Sequence, residues 1–195
     1  MIDMTSIRTA FDDFKKREDG TVSVELVFIA PGLTLIIMIL ITFFAGFRAQ
    51  THATRAATVV TDMVSREVTP VTPSFFEGVD GLMQAMITSD DEPDFRVTSF
   101  TYDEDDDAYS VSWSKDNGAF GAMDDSDLNQ VSDRLPTMRD GQRAILVETA
   151  VQYVPVFDIG IGTRQFDNFN VTTPRFVAQL CYMDSINADP QTAQC

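Results

Sequence analysis

The chain has 195 residues, with 30 acidic and 14 basic side chains, a formal net charge of −16 and 44% hydrophobic residues. That balance repels nucleic-acid phosphates, so no nucleic-acid partner is expected. Two cysteines, Cys181 and Cys195, and one histidine, His52, give little support to a zinc site or a histidine-dependent triad.

The chain begins with a short charged segment in which Phe11 and Phe14 flank Asp12 and Asp13, followed by the cluster Lys15, Lys16 and Arg17. It is too short and polar to fold alone. After Gly20 and a lone carboxylate at Glu25 come 22 residues, 26–47, without a formal charge. A helix of that length crosses the roughly 30 Å of bilayer hydrocarbon. The basic cluster ahead of it keeps the N-terminus in the cytoplasm under the positive-inside rule, although Arg48 and Arg55 beyond the run weaken the asymmetry. A secretory signal peptide fits poorly, because no A-x-A-like cleavage site follows and Thr51-His52-Ala53 is a weak substitute. Inside the run, Pro31-Gly32 predicts a kink. Such a pair is tolerated in a membrane helix when neighbouring helices or hydroxyls satisfy the freed backbone groups, and Thr34 is close enough in sequence to help. The pair reads either as a simple kink with no role or as part of a helix built to bend or locally melt when packed among others.

Beyond the run, Ala53, Ala56, Ala57, Val60, Val64 and Val68 recur at three- and four-residue steps, which continues the same helix to residue 68 with a thin apolar stripe. Pro70 and Pro73 then end it. Phe75, Phe76, Val79, Leu82, Met83, Met86 and Ile87 predict a second helix, closed by Asp90, Asp91, Glu92 and Pro93. Strands are predicted next. Residues 95–102 place Phe95, Val97 and Ser99 on one face, and 108–115 carry Tyr109, Val111 and Trp113 at period two. The acidic run 103–107 between them forms a hairpin tip, and Asp116-Asn117-Gly118 forms a second loop. A short helix is expected over 126–135 and a long β-rich run over 142–157, with Pro155 marking an edge or bend. A glycine turn at 160–162 then precedes a last strand at 175–182. The fold class is therefore α+β: a long N-terminal transmembrane and stalk helix packed on a small antiparallel sheet. The expected parts are a leader over 1–20, the membrane and stalk helix over 21–68, and an α+β domain over 69–195.

Few constellations carry chemistry, and no enzymatic activity and no cofactor are expected. His52 sits at headgroup level with no nucleophile motif to partner it, and Gly160-Ile161-Gly162 lacks the third glycine of a dinucleotide fingerprint. Between residues 69 and 133 there are 16 acidic side chains against two basic ones, Arg96 and Lys115, which reads as a hydrated acidic face. Asp103, Asp105 and Asp107 fit the first positions of a helix–loop–helix calcium site, but Ala108 stands where glycine is needed and Ser114 where a bidentate glutamate is needed. No metal is assigned. In an exported domain, Cys181 and Cys195 could close a disulfide worth about 3 kcal/mol by loop entropy; two independent thiols are the alternative.

Gly20 with Glu25 at the fifth position after it, then an apolar helix, resembles the prepilin peptidase site of type IV pilins and pseudopilins. Residues 20–31, Gly-Thr-Val-Ser-Val-Glu-Leu-Val-Phe-Ile-Ala-Pro, are most similar to the start of TadE-like proteins, the minor pilins of the tight-adherence (Tad, Flp-type) pilus system. The resemblance covers only this N-terminal part and, beyond it, a general α-then-β plan. It implies cleavage after Gly20, Thr21 as the new N-terminus, and Glu25 as partner of the α-amino group so created, on this or a neighbouring subunit. Thr21 departs from the aromatic or small residue often found there, and the acids of the leader depart from a purely basic one. The implied partners are a prepilin peptidase, other Tad pilins and inner-membrane assembly proteins. The implied place is a single pass of the bacterial inner membrane, C-terminal domain in the periplasm, with the extracellular pilus as a further location. The implied role is assembly of a fibre used in surface attachment. The alternative is a bitopic, membrane-anchored periplasmic binding module that does not polymerise.

Overall fold

A computed structural model describes residues 13, 21–87, 92–118, 120–157, 160–185 and 187–195. The other residues of the segment 1–20 expected to be a leader, with Gly20 and the basic cluster, lie outside the described residues, as do Asp90 and Asp91. One helix, α1 (Thr21–Arg66), runs through the whole apolar stretch and beyond it. Short-range packing divides the chain into two units, one holding the helix as far as Phe44 and the other running from Ala45 to Cys195. In the first unit the apolar side chains point outward, and Phe28 and Phe44 keep 78% and 73% of their surface exposed. A helix that is apolar all round without being packed has the length and composition to cross a membrane.

The second unit is an α+β domain. It holds the end of α1, then α2 (Pro73–Met86), β1 (Asp94–Asp103), β2 (Ala108–Asp116), a six-residue α3 (Asp125–Gln130), β3 (Arg143–Tyr153) and β4 (Arg164–Thr172). The four strands form one antiparallel sheet in the order β2-β1-β3-β4. α1 packs on one face through Ala53, Ala56, Val60 and Val64, and α2 joins it through Val79 and Met83. Together they bury Phe95, Val97, Trp113, Ile145, Val147 and Val151 of the sheet. The alanines allow the helix to approach closely before the stripe widens to valine. The stripe ends at Val64; Val68 is exposed, because the helix stops at Arg66, ahead of Pro70.

The opposite face is also covered. The β2–β3 connection, containing α3 and a 3₁₀ turn at Ser132–Arg134, lays Met123, Leu128, Leu135 and Met138 over Phe100, Ala144 and Leu146. The sheet is thus a middle layer, and β3 reads as a nearly continuous buried run.

Two expectations about strands are corrected. Tyr109, Val111 and Trp113 do not share a face. The β1–β2 register jumps from Ser99 opposite Trp113 to Phe100 opposite Val111, leaving Ser112 as the extra residue of a β-bulge. Tyr109 and Val111 therefore face the α3 side while Trp113 enters the core under α1. The last strand is β4 at Arg164–Thr172, not 175–182. β4 is poor in strand-forming residues, with Asp167, Asn168 and Asn170, yet it pairs along its full length with β3.

Residues around 180 reach the core as an irregular segment instead. Trp113 Nε1 donates to the Leu180 carbonyl at 2.8 Å, Val71 N to the Cys181 carbonyl at 2.9 Å, and Met183 N to the Val71 carbonyl at 2.9 Å. Cys181 and Cys195 are joined by a disulfide. It closes the C-terminal tail onto Tyr182, whose N–H and C=O exchange hydrogen bonds with those of Gln194.

Candidate functional site

The head of α1 carries the residues singled out by the resemblance. Thr21 is the first residue of α1 among the described residues. Glu25 follows four residues later, on the same helix face as Thr21, and its side chain is exposed. At about 1.5 Å of rise per residue, the two positions are separated by one turn, about 6 Å along the axis.

Pro31 lies inside the helix, which continues past it uninterrupted. Its missing N–H removes the usual partner of the Val27 carbonyl. Thr34 does not restore it: its Oγ1 donates to the Ala30 carbonyl at 2.8 Å, the acceptor of its own helical turn. The expectation that Thr34 compensates Pro31 is therefore corrected, and the geometry of a four-residue back-bond explains why. A Cβ at Gly32 would meet nothing within 4 Å, so at this position the helix presents a bare backbone flank.

Where α1 passes into the second unit, a cleft of about 390 Å³ lies between the helix and the C-terminal end of β3. Ala45, Arg48, Ala49 and His52 line one side, and Val151, Tyr153, Val154 and Val156 the other. Arg48 Nε donates to His52 Nε2 at 3.5 Å, one turn apart on the helix.

The acidic residues have structural work that sequence reading missed. At the hairpin tip, Asp103 Oδ1 accepts from the N–H groups of Asp105 and Asp106 at 3.0 and 3.3 Å, and Asp140 Oδ1 accepts from Glu104 N at 3.2 Å. Among the described residues, no three His, Cys, Asp or Glu side chains are grouped to hold a metal ion. In α3, Asp124 and Asp127 form a reciprocal capping box, and donation from Asp127 N and the Ser126 hydroxyl holds the Asp124 carboxyl below the usual range. The same helix covers the outer edge of β2. Asn129 accepts from Tyr109 N at 2.9 Å and donates to the Tyr109 carbonyl at 2.7 Å, while Asp125 accepts from Val111 N at 2.6 Å. Side chains thus stand in for a neighbouring strand and close an edge that could otherwise pair with another chain. The one available signal was a polar, cap-rich segment directly after an edge strand.

The tip also makes a pH prediction. Tyr102 donates its hydroxyl to Asp107 Oδ1 at 2.7 Å, and the carboxylate pushes the phenol up to about 12. A folded-state value above the unfolded one means the protonated phenol is favoured by folding. Its contribution is complete below about pH 10, the unfolded value, and is lost as pH rises through about 12. Absorbance titration at 295 nm should show a late tyrosine that disappears in Tyr102→Phe; a wild-type curve unchanged by the substitution would contradict the assignment.

No protein-family model matches the chain, and comparison with curated proteins and with solved structures likewise finds no match.

Proposed function

We propose that this chain is a minor pilin or pseudopilin of the tight-adherence type, held in the bacterial inner membrane until a prepilin peptidase removes its first 20 residues. The observation that carries this reading is the spacing of Gly20 and Glu25 directly ahead of a 22-residue charge-free run. Thr21 and Glu25 share a helix face one turn apart, so an α-amino group created at Thr21 falls within reach of the carboxylate. A helix that is unpacked in its first part and buried against a sheet in its second also supports it. Such an element can exchange lipid for a bundle of like helices without disturbing the domain. In this reading the N-terminus is cytoplasmic, the domain is periplasmic, and the partners are the peptidase, other pilins and inner-membrane assembly proteins of the same system. Its contribution is to assembly of a fibre used in attachment.

Mass spectrometry of the mature protein tests the proposal. The expected N-terminus is Thr21 in cells with the peptidase, and Gly20→Ala should leave a species heavier by the 20-residue leader, about 2 kDa at roughly 110 Da per residue. An intact Met1 in peptidase-positive cells would reject the role and favour a plain membrane-anchored module.

A further inference from the structure

The two edges of the sheet are finished differently. On β2, Asn129 and Asp125 take outward backbone groups, and the bulge at Ser112 interrupts the strand. β4 has no such protection among the described residues. It pairs with β3 at nine consecutive positions without a bulge, contains no proline, glycine or lysine, and none of its residues is buried. Its outward backbone groups follow from strand register. Phe95 N donates to Asn117 Oδ1 and the Phe95 carbonyl accepts from Asn117 N, so odd-numbered residues of β1 face β2 and even-numbered ones face β3. The pairs Arg96–Glu148 and Val147–Asn170 carry this parity across the sheet. Gln165, Asp167, Phe169 and Val171 therefore direct their N–H and C=O groups away from β3, and among the described residues these groups meet no backbone partner.

This edge is complementary to itself. β4 carries one cation, Arg164, and one anion, Asp167, and so is neutral in a chain of net charge −16. A two-fold axis normal to the sheet sets β4 of one copy antiparallel to β4 of another. With Asn168 on the axis the two strands overlap along their full length. Gln165 then meets Val171 and Asp167 meets Phe169, each pair twice, which gives about eight hydrogen bonds. The Arg134 guanidinium lies 4.0 Å over the Phe169 ring, on the sheet face that Asp167 shares by alternation. Each Asp167 thus arrives beside the Arg134 of the other copy. Neighbouring registers lose this match. An axis at Asp167 sets two carboxylates opposite each other, and an axis at Phe169 brings the two guanidinium groups together.

We infer that β4 is the docking edge for a second copy of this chain, joined β4 to β4 across a two-fold axis at Asn168. Within the domain, α1 runs parallel to β4: Gly46 lies beside Tyr153, the partner of Arg164, and Asp62 shares a recess with Thr172. The axis reverses that direction in the second copy. The contact therefore joins opposed chains, not neighbours standing side by side. It goes beyond the pilin reading and does not depend on it.

Oxidative cross-linking of the full-length protein in detergent provides the test. The two native cysteines are bonded to each other, so an added cysteine is the one free thiol. Asn168→Cys sets two thiols across the axis at a non-hydrogen-bonded pair, with Cα atoms about 4.5 Å apart and within disulfide range. It should give about tenfold more covalent dimer than Gln165→Cys, whose two copies stand roughly 20 Å apart. A mixture of Gln165→Cys and Val171→Cys chains should give heterodimers that neither forms alone. This mixture decides the matter if loss of the Asn168–Thr149 hydrogen bond unfolds Asn168→Cys. Asp167→Arg should cut the Asn168→Cys yield about fivefold, and adding Arg134→Asp should restore it. Asn168→Cys dimers no more abundant than those of Gln165→Cys, with no heterodimer from the mixture, would overturn the contact. Dimers formed through Ile36→Cys alone would assign self-association to the apolar helix and would overturn it as well.

Discussion

Glu25→Ala is expected to leave the protein in the membrane fraction and to remove it from the fibre. The carboxylate stands at the start of the apolar run, where burial costs less than the roughly 2.5–3.5 kcal/mol charged to a mid-bilayer acid, so alanine should not impair insertion. Under the proposed pilin role, its value arises when lipid is replaced by packed helices. There the α-amino group of a cleaved Thr21 requires a partner, and Glu25 is one turn away on the same face. Losing one member of a buried pair strands the other at a cost of about 3–5 kcal/mol, or roughly a hundredfold or more in an assembly equilibrium. Immunoblots of membrane and sheared-pilus fractions would show the difference, and Glu25→Asp should recover part of it. Normal incorporation of the alanine variant would sink the assigned role. Cleavage at Gly20 should survive the substitution, which separates an assembly defect from a processing defect.

The second large effect is expected inside the sheet. Arg96 and Glu148 stand directly opposite each other on β1 and β3, with Arg96 Nη2 and Nε at 2.6 and 2.7 Å from one carboxylate oxygen. Both side chains are mostly buried, at 12% and 14% exposure. Arg96 Nη1 also donates to the Gly121 carbonyl at 3.0 Å, and the guanidinium lies over the Phe120 ring. Arg96→Ala therefore leaves a carboxylate uncompensated on a central strand and frees the β2–β3 connection at one anchor. The expected loss is about 3 kcal/mol, at the low end for a broken buried pair because some solvent still reaches the charges. The double variant Arg96→Met/Glu148→Leu should recover most of it, since no charge is then left buried. Urea unfolding of the full chain in detergent, followed through Trp113, would measure both. A loss under about 1 kcal/mol in Arg96→Ala would show that water screens the pair as it does at an open surface.

Much of the architecture was legible in residue order because helix and strand periods act locally. The valines and alanines at three- and four-residue steps mark the buried face of α1, and Phe95 and Val97 point as their alternation requires. The errors fall where a partner outvotes local preference. Ser112 is extruded because β2 must pair with β1 on both sides of a shift, and this turns Trp113 to the opposite face from Val111. β4 forms from Asn- and Asp-rich chain because β3 supplies a hydrogen-bonding template for its full length, whereas residues near 180 contribute apolar side chains without a strand. Asp125 was read as part of a hydrated acidic face, yet together with Asn129 it holds the edge of β2.

The apolar helix long enough to cross a membrane, the Gly20–Glu25 spacing and the α+β plan were determined by the sequence alone, since each depends on a run of neighbours. Only the tertiary structure decided that the sheet is covered on both faces, that Arg96 meets Glu148, and that Val154 and Val156 share a cleft with Ala45 and Arg48 of α1. Those facts join residues dozens of positions apart, and strand register and helix packing, which no local pattern encodes, bring them together.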